Sequence, residues 1–178
     1  MTAVSASPQP ARARAIGSDE EAIAVAREYA ATLADGVIER DRAGTVPREE
    51  LALLDRSGLL GITIPTAHGG ADVSPGTLAE VTRTIAAVDP SIAQVPQAHY
   101  LFADVLRVWG SDEQQRRLFA DILGGARLGN ALAERGAQHA QDLRTRLTRN
   151  PSGLTLSGRK YYCTGAVTSR WIAVTALN

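Results

Sequence analysis

Gly129-Asn130-Ala131-Leu132-Ala133-Glu134 is where this chain changes character. Before it, apolar residues recur at helical spacing; from Leu128 onward they fall in short extended runs. Residues 128–133, 144–148, 154–157, 160–163 and 171–177 read as strands, with Asn150-Pro151-Ser152-Gly153 as the clear hairpin turn. Helices come first and strands after, with no internal repeat. This order predicts an α+β fold: an N-terminal all-α helical domain followed by the start of an antiparallel β-barrel, left incomplete.

The helical half is legible from its punctuation. Ser18-Asp19-Glu20-Glu21 reads as a capping box opening a helix whose stripe is Ile23, Ala26, Ala30, Leu33 and Val37. A second helix starts near Pro47, carries Leu51 and Leu54, and stops at Gly58. Leu59 to Pro65 reads as an extended apolar segment. Ser74-Pro75 caps a third helix with Leu78, Val81, Ile85 and Val88 on one face, ending before Pro90. A fourth runs from Ser91 to Trp109 with a kink at Pro96. The fifth opens on a second capping box, Ser111-Asp112-Glu113-Gln114, and closes at Gly124-Gly125. The expected division is a disordered tail over 1–17, a helical domain over 18–126 and a partial β domain over 127–178.

Composition narrows the function classes. With 44% hydrophobic but only 4% aromatic residues, the core must be built from Ala, Leu, Val and Ile, which favours packed helices. Lys+Arg and Asp+Glu are 19 each, so there is no basic excess for a phosphate backbone and nucleic acid is not an expected partner. The single Cys163 excludes an internal disulfide framework and fits a reducing compartment. No apolar run approaches the roughly 20 residues of a membrane-spanning helix, so the expected location is the cytoplasm.

Candidate chemistry is sparse. Gly153 to Lys160 resembles a phosphate loop only superficially, because Arg159 stands where Lys should and no helix follows. His68, His99 and His139 are too scattered for zinc, and no metal site is expected. His99 is either a satisfied core histidine or a pocket residue. Asn130 and Thr164 are either solvent-facing or hydrogen-bonding groups for a planar ring. An isoalloxazine offers carbonyl acceptors, a donor at N3 and a redox-active N5, which an amide, a hydroxyl and strand-edge peptides can serve.

Several landmarks in order carry a family resemblance. Gly58-Leu59-Leu60-Gly61-Ile62-Thr63-Ile64-Pro65 precedes Gly69-Gly70, and Trp109-Gly110-Ser111-Asp112-Glu113-Gln114-Gln115 precedes Ala131-Leu132-Ala133-Glu134 and Gly158-Arg159-Lys160-Tyr161-Tyr162-Cys163-Thr164-Gly165. Together they resemble the N-terminal half of the acyl-CoA dehydrogenase-like flavoproteins. Where typical members read T-E-P-G-A-G-S-D, this chain has Ala133-Glu134-Arg135-Gly136-Ala137-Gln138-His139-Ala140, so Pro, Ser and Asp of the FAD pyrophosphate site are missing. The flanks Gly129-Asn130-Ala131 and Tyr162-Cys163-Thr164-Gly165-Ala166 are similar instead to the dibenzothiophene monooxygenase and sulfur-acquisition branch.

That resemblance implies a flavin-dependent monooxygenase using FMN, with FAD as the alternative. The flavin is reduced by a separate flavin reductase, and oxygen reaches an organosulfur substrate through a C4a-hydroperoxide. It implies Asn130, Leu132, Ala133 and Thr164 as cofactor-binding residues and His99 and Tyr100 as catalytic residues on the substrate side. Family members are more than twice as long and form homotetramers, so this chain alone is expected to bind flavin poorly and turn nothing over. Two other readings are an FAD-dependent acyl-CoA dehydrogenase fragment and a non-catalytic helical interaction module.

Overall fold

Capping residues fix the helical half. In the computed structural model, which describes residues 13–136, 139, 142–151 and 153–178, Ser18 accepts the Glu21 amide and α1 runs Asp19–Leu33. The Glu21 carboxylate closes on the Gly17 amide at 2.9 Å, one residue before the partner a capping box would give it. The buried stripe is Ala22, Val25, Ala26, Tyr29, Ala30 and Leu33. It is rotated from the expected one: Ile23 is only half-buried, and Val37 opens the separate α2 (Val37–Ala43) because Gly36, at φ +79°, turns the chain.

Helix α3 (Arg48–Ser57) ends at Gly58, whose φ is +86°. A Cβ there would lie 2.2 Å from the Arg14 carbonyl oxygen, so only glycine lets the incoming chain pass. That passage is used: the Arg14 amide donates to the Arg56 carbonyl at 3.0 Å and Ile16 is buried. Residues 13–17 of the expected tail are therefore packed on the helices, while residues 1–12 lie outside the described residues.

The segment expected to be extended, Leu59 to Pro65, is instead a 3-10 turn over Leu59–Gly61 followed by irregular chain. Leu59, Leu60, Ile62 and Ile64 are each at most 1% exposed, so the run is apolar because protein surrounds it. Ser74 caps α4 (Pro75–Ala86), and Pro96 separates α5 (Pro90–Gln94) from α6 (Gln97–Trp109). Helix α7 (Asp112–Leu123) carries a complete capping box between Ser111 and Gln114. Ser111→Ala should destabilise the fold by about 1 kcal/mol in urea titration, since it orphans one first-turn amide. An unchanged midpoint would show that the box contributes nothing.

One core cluster joins α1, α3, α4 and α5 through Leu33, Leu54, Val81, Ile85 and Ile92. A second, of Ile64, Ala103, Phe119, Ile122 and Leu128, joins α6 and α7 to the first strand. The β half is smaller than expected. β1 (Leu128–Ala131) pairs in parallel with β4 (Trp171–Val174), Asn130 opposite Ala173. β2 (Arg146–Asn150) and β3 (Gly153–Ser157) form an antiparallel hairpin. The molecule is thus a helix-rich mixed fold with small sheets, and among the described residues no closed sheet forms. The expected strand over 160–163 reduces to one antiparallel bridge, Ala133 with Tyr161, because Tyr162 takes φ +55° and bends the chain. No helix among the described residues is long and apolar enough to cross a membrane.

Candidate functional site

The turn carrying Thr164 lies directly over β1. A Cβ on Gly129 would sit 2.9 Å from Ser169 Oγ and 3.1 Å from Ala166 Cα, so glycine in the strand admits the turn. The turn is held from within by Ser169 Oγ donating to the Gly165 carbonyl (2.8 Å) and from below by Arg127 Nη2 donating to the Thr168 carbonyl (2.9 Å). In consequence Asn130 Nδ2 donates to the Thr164 carbonyl at 3.3 Å. Both residues are half-buried. Among the described residues, Asn130 Oδ1 and Thr164 Oγ1 engage no partner.

Just past β1 the backbone is pinned on one side. The Leu132 carbonyl accepts from Lys160 Nζ (3.1 Å) and Thr175 Oγ1 (3.3 Å), and the Ala133 carbonyl accepts from the Tyr161 amide (2.9 Å). Ala133 itself is exposed. Lys160 also pairs with Glu134 at 2.8 Å. The Lys160 ammonium, then the Thr145 hydroxyl and amide, hold the Glu134 carboxyl down to a pKa of about 2.

His99 and Tyr100 have a different setting. His99 is completely buried; its Nε2 lies 2.8 Å from the Leu60 carbonyl and its Nδ1 accepts the Leu128 amide at 3.1 Å. A carbonyl can only accept and an amide can only donate, so the ring is neutral with its proton on Nε2. Burial, helped by the nearby Arg127 charge, lowers its pKa to about 4. Both nitrogens are thus committed to backbone, the geometry of a satisfied core histidine that ties the helices to β1. Tyr100 donates to the Leu59 carbonyl at 3.0 Å, and burial raises its phenol pKa. Its ring lines a groove of about 510 Å³ with Thr63, Leu78, Leu101 and Arg107.

The structure therefore brings Asn130 and Thr164 together, with Leu132 and Ala133 next along the chain, and places His99 against Leu128 of β1 and Tyr100 against Leu59. Thr164 opens a turn; it does not sit on a strand. His68 stacks edge-on against Phe119, His139 is exposed, and Cys163 is a free, half-buried thiol. Among the described residues no trio of His, Cys, Asp or Glu gathers as a metal site.

Two charge pairs beneath this site escaped the sequence reading. One is Glu134–Lys160. The other is Arg127, 2% exposed, whose Nη1 lies 3.1 Å from Asp55 Oδ1 on α3. The available signal for Arg127 was a lone cation ahead of an apolar run; Lys160 follows directly on Arg159 and carried no such signal.

The match of residues 18–126 to the acyl-CoA dehydrogenase N-terminal domain makes the chain a member of that family. It is 35% identical over 151 residues to a dibenzothiophene monooxygenase of Rhodococcus erythropolis, covering 84% of this chain and 36% of the relative. It is 34% identical over 158 residues to the probable FMNH2-dependent monooxygenase SfnC of Pseudomonas putida, covering 88% and 38%. The structure of FMN-bound TdsC from Paenibacillus sp. A11-2 superposes with a TM-score of 0.80 at 32% identity, over 87% of this chain and 39% of that one. The chain thus spans less than two fifths of the length of these relatives.

Proposed function

We propose that this chain forms the flavin-edge portion of an FMN-dependent monooxygenase that oxygenates a small organosulfur compound, with reduced FMN supplied by a separate flavin reductase. The observation that carries the reading is the Asn130–Thr164 pairing, which among the described residues leaves an amide oxygen and a hydroxyl without partners near the exposed Ala133. That donor and acceptor set fits the edge of an isoalloxazine, whose N5 changes its hydrogen-bonding demand on reduction; a hydroxyl can meet both demands. The similarity to FMN-using monooxygenases supports the choice of FMN, and the replaced residues at 135–140 argue against the FAD pyrophosphate site.

When bound and reduced, FMN supplies dioxygen activation and transfer of one oxygen atom to sulfur. The chain's own residues hold and shield the ring. Asn130 and Thr164 would bind its edge, Leu132 and Ala133 would line it, and the β1–turn contact at Gly129 would exclude water beneath. His99, which accepts the Leu128 amide, positions β1 against α6 and so acts through the strand, while Tyr100 ties α6 to Leu59.

FMN titration of a longer protein that contains this chain, followed by flavin fluorescence, tests this. Asn130→Ala and Thr164→Ala should each weaken FMN binding about tenfold, the loss of one well-placed hydrogen bond. Unchanged affinity in both variants would remove the reading. Acyl-CoA bleaching of bound FAD would favour the dehydrogenase alternative.

A further inference from the structure

Arg127 holds the turn that carries Thr164 by two routes. Its Nη2 donates to the Thr168 carbonyl at 2.9 Å. Its own carbonyl accepts the amides of Arg170 (3.1 Å) and Trp171 (3.3 Å), where the turn runs into β4. The side chain is 2% exposed, so its charge needs a counter-charge close by. Among the described residues the carboxylate in salt-bridge range is Asp55 of α3. Nη1 lies 3.1 Å from Asp55 Oδ1, yet neither atom makes an aligned hydrogen bond, and Arg127 Nε makes none either. Charge holds this contact. Such an attraction is lost when the carboxyl is neutral, whereas an aligned hydrogen bond could survive.

Asp55 is placed to change its charge. Its side chain is 25% exposed and lines a cavity of about 340 Å³ between residues 13–16, the end of α3 and the end of α7, so protons reach it from solvent. The charged and titratable groups around it are Arg127, Arg56, Tyr29 of α1, and Arg14 and His68 on the cavity wall. Burial outweighs the pull of Arg127 and Arg56 and brings the carboxyl up to about 6.

We infer that Asp55 is a positioning residue for the flavin site: acting through Arg127, its charge state sets how firmly the turn bearing Thr164 is held. The inference rests on the FMN reading above and adds to it a residue of α3 that does not touch the flavin.

Linkage fixes the sign. If FMN binds the firmly held turn better, it binds the ionised form better, so the share of affinity due to Asp55 rises with pH through 6. Stability due to the same group runs the other way and fades as pH climbs through 6. A purely structural role would move affinity and stability together; this one moves them apart.

Three measurements on a longer protein that contains this chain test the inference. In FMN titration, Asp55→Asn should bind about tenfold more weakly than the wild type at pH 7.5, and the two should converge to within about twofold at pH 5. The FMN phosphate titrates in the same range, but it is common to both proteins and cancels in the ratio. In an Arg127→Met background, Asp55→Asn should change affinity by less than about twofold, because the route to the turn is gone. Without flavin, amide hydrogen exchange over residues 164–171 should be faster in Asp55→Asn than in the wild type at pH 7.5, and about equal at pH 5. Asp55→Ser, smaller and also neutral, gives the same readouts should Asp55→Asn fold poorly.

A wild-type to Asp55→Asn affinity ratio that stays constant between pH 5 and 7.5 would overturn the inference, as would a full effect of Asp55→Asn in the Arg127→Met background. Equal exchange at pH 7.5 would overturn it independently of any flavin. A wild-type protein that binds no FMN at pH 7.5 would bring down the FMN reading itself, and this inference with it.

Discussion

His99→Leu is expected to cost about 4 kcal/mol in denaturant unfolding, because it strands a buried carbonyl and a buried amide at once. The leucine fills nearly the same space, so the loss is of hydrogen bonds and not of volume. The Leu60 carbonyl and Leu128 amide have His99 as their partner on either side of the helix–strand junction. A cost below about 1 kcal/mol would mean that the junction repacks freely.

The same histidine gives stability a pH dependence of definite sign. Its folded pKa of about 4 lies below its ordinary 6.5, because burial, with the Arg127 charge, disfavours imidazolium. The unfolded chain therefore binds more protons between those values, and stability should rise with pH from about 4 to 6.5, by at most roughly 3 kcal/mol. Asp55 opposes it. Burial raises its carboxyl to about 6 from 3.8, against the pull of Arg127, so its contribution is present below 3.8 and fades as pH climbs through 6. The two windows overlap, and the wild-type profile should be flattened between pH 4 and 6. In His99→Leu the Asp55 slope dominates once Glu134 is ionised in both states, so stability should fall as pH rises from about 5 to 6. A variant profile parallel to the wild type would refute the assignment.

Arg127→Met is expected to cost about 3 kcal/mol, somewhat less than full burial would give, because the Asp55 side chain is 25% exposed. The substitution leaves Asp55 Oδ1 buried without its cation and frees the Thr168 carbonyl. Asp55→Asn in the same chain should recover at least about 1 kcal/mol of that loss, and the double-mutant cycle measures the coupling. Strictly additive costs would show that the pair contributes no more than its separate parts. Since Arg127 also anchors the turn bearing Thr164, the single variant should lose FMN affinity as well as stability, which separates it from Ser111→Ala.

The helical half was legible because its boundaries are local. Ser74, Ser111 and Gly58 act on their own neighbours, and each performs the expected job at the expected position, while Pro96, expected to kink one helix, separates two. The β half was not, because its structure depends on distant parts of the chain. Nothing near Tyr162 in sequence announces a positive φ, and nothing near Leu128 announces a parallel partner at Trp171. Leu59 to Pro65 misled for a related reason: a run buried on every side is apolar whatever its backbone does. Of the candidate site, the residue types at 130 and 164 and the order of landmarks were readable. The ion pairs beneath, Arg127 with Asp55 and Lys160 with Glu134, join residues that share no local pattern.

The parallel pairing of β1 with β4 joins residues about forty positions apart, a separation whose closure entropy grows only slowly with length but must be met before any contact forms. The β2–β3 hairpin lies inside that span and can form first, drawing the ends nearer. The helices, built on short-range contacts, provide the surface on which Trp171 finally lands, its indole donating to Asp121 of α7 at 3.0 Å. The edge that would meet the cofactor is thus among the last parts of the molecule to be assembled, and the first to be lost when residues 171–174 let go.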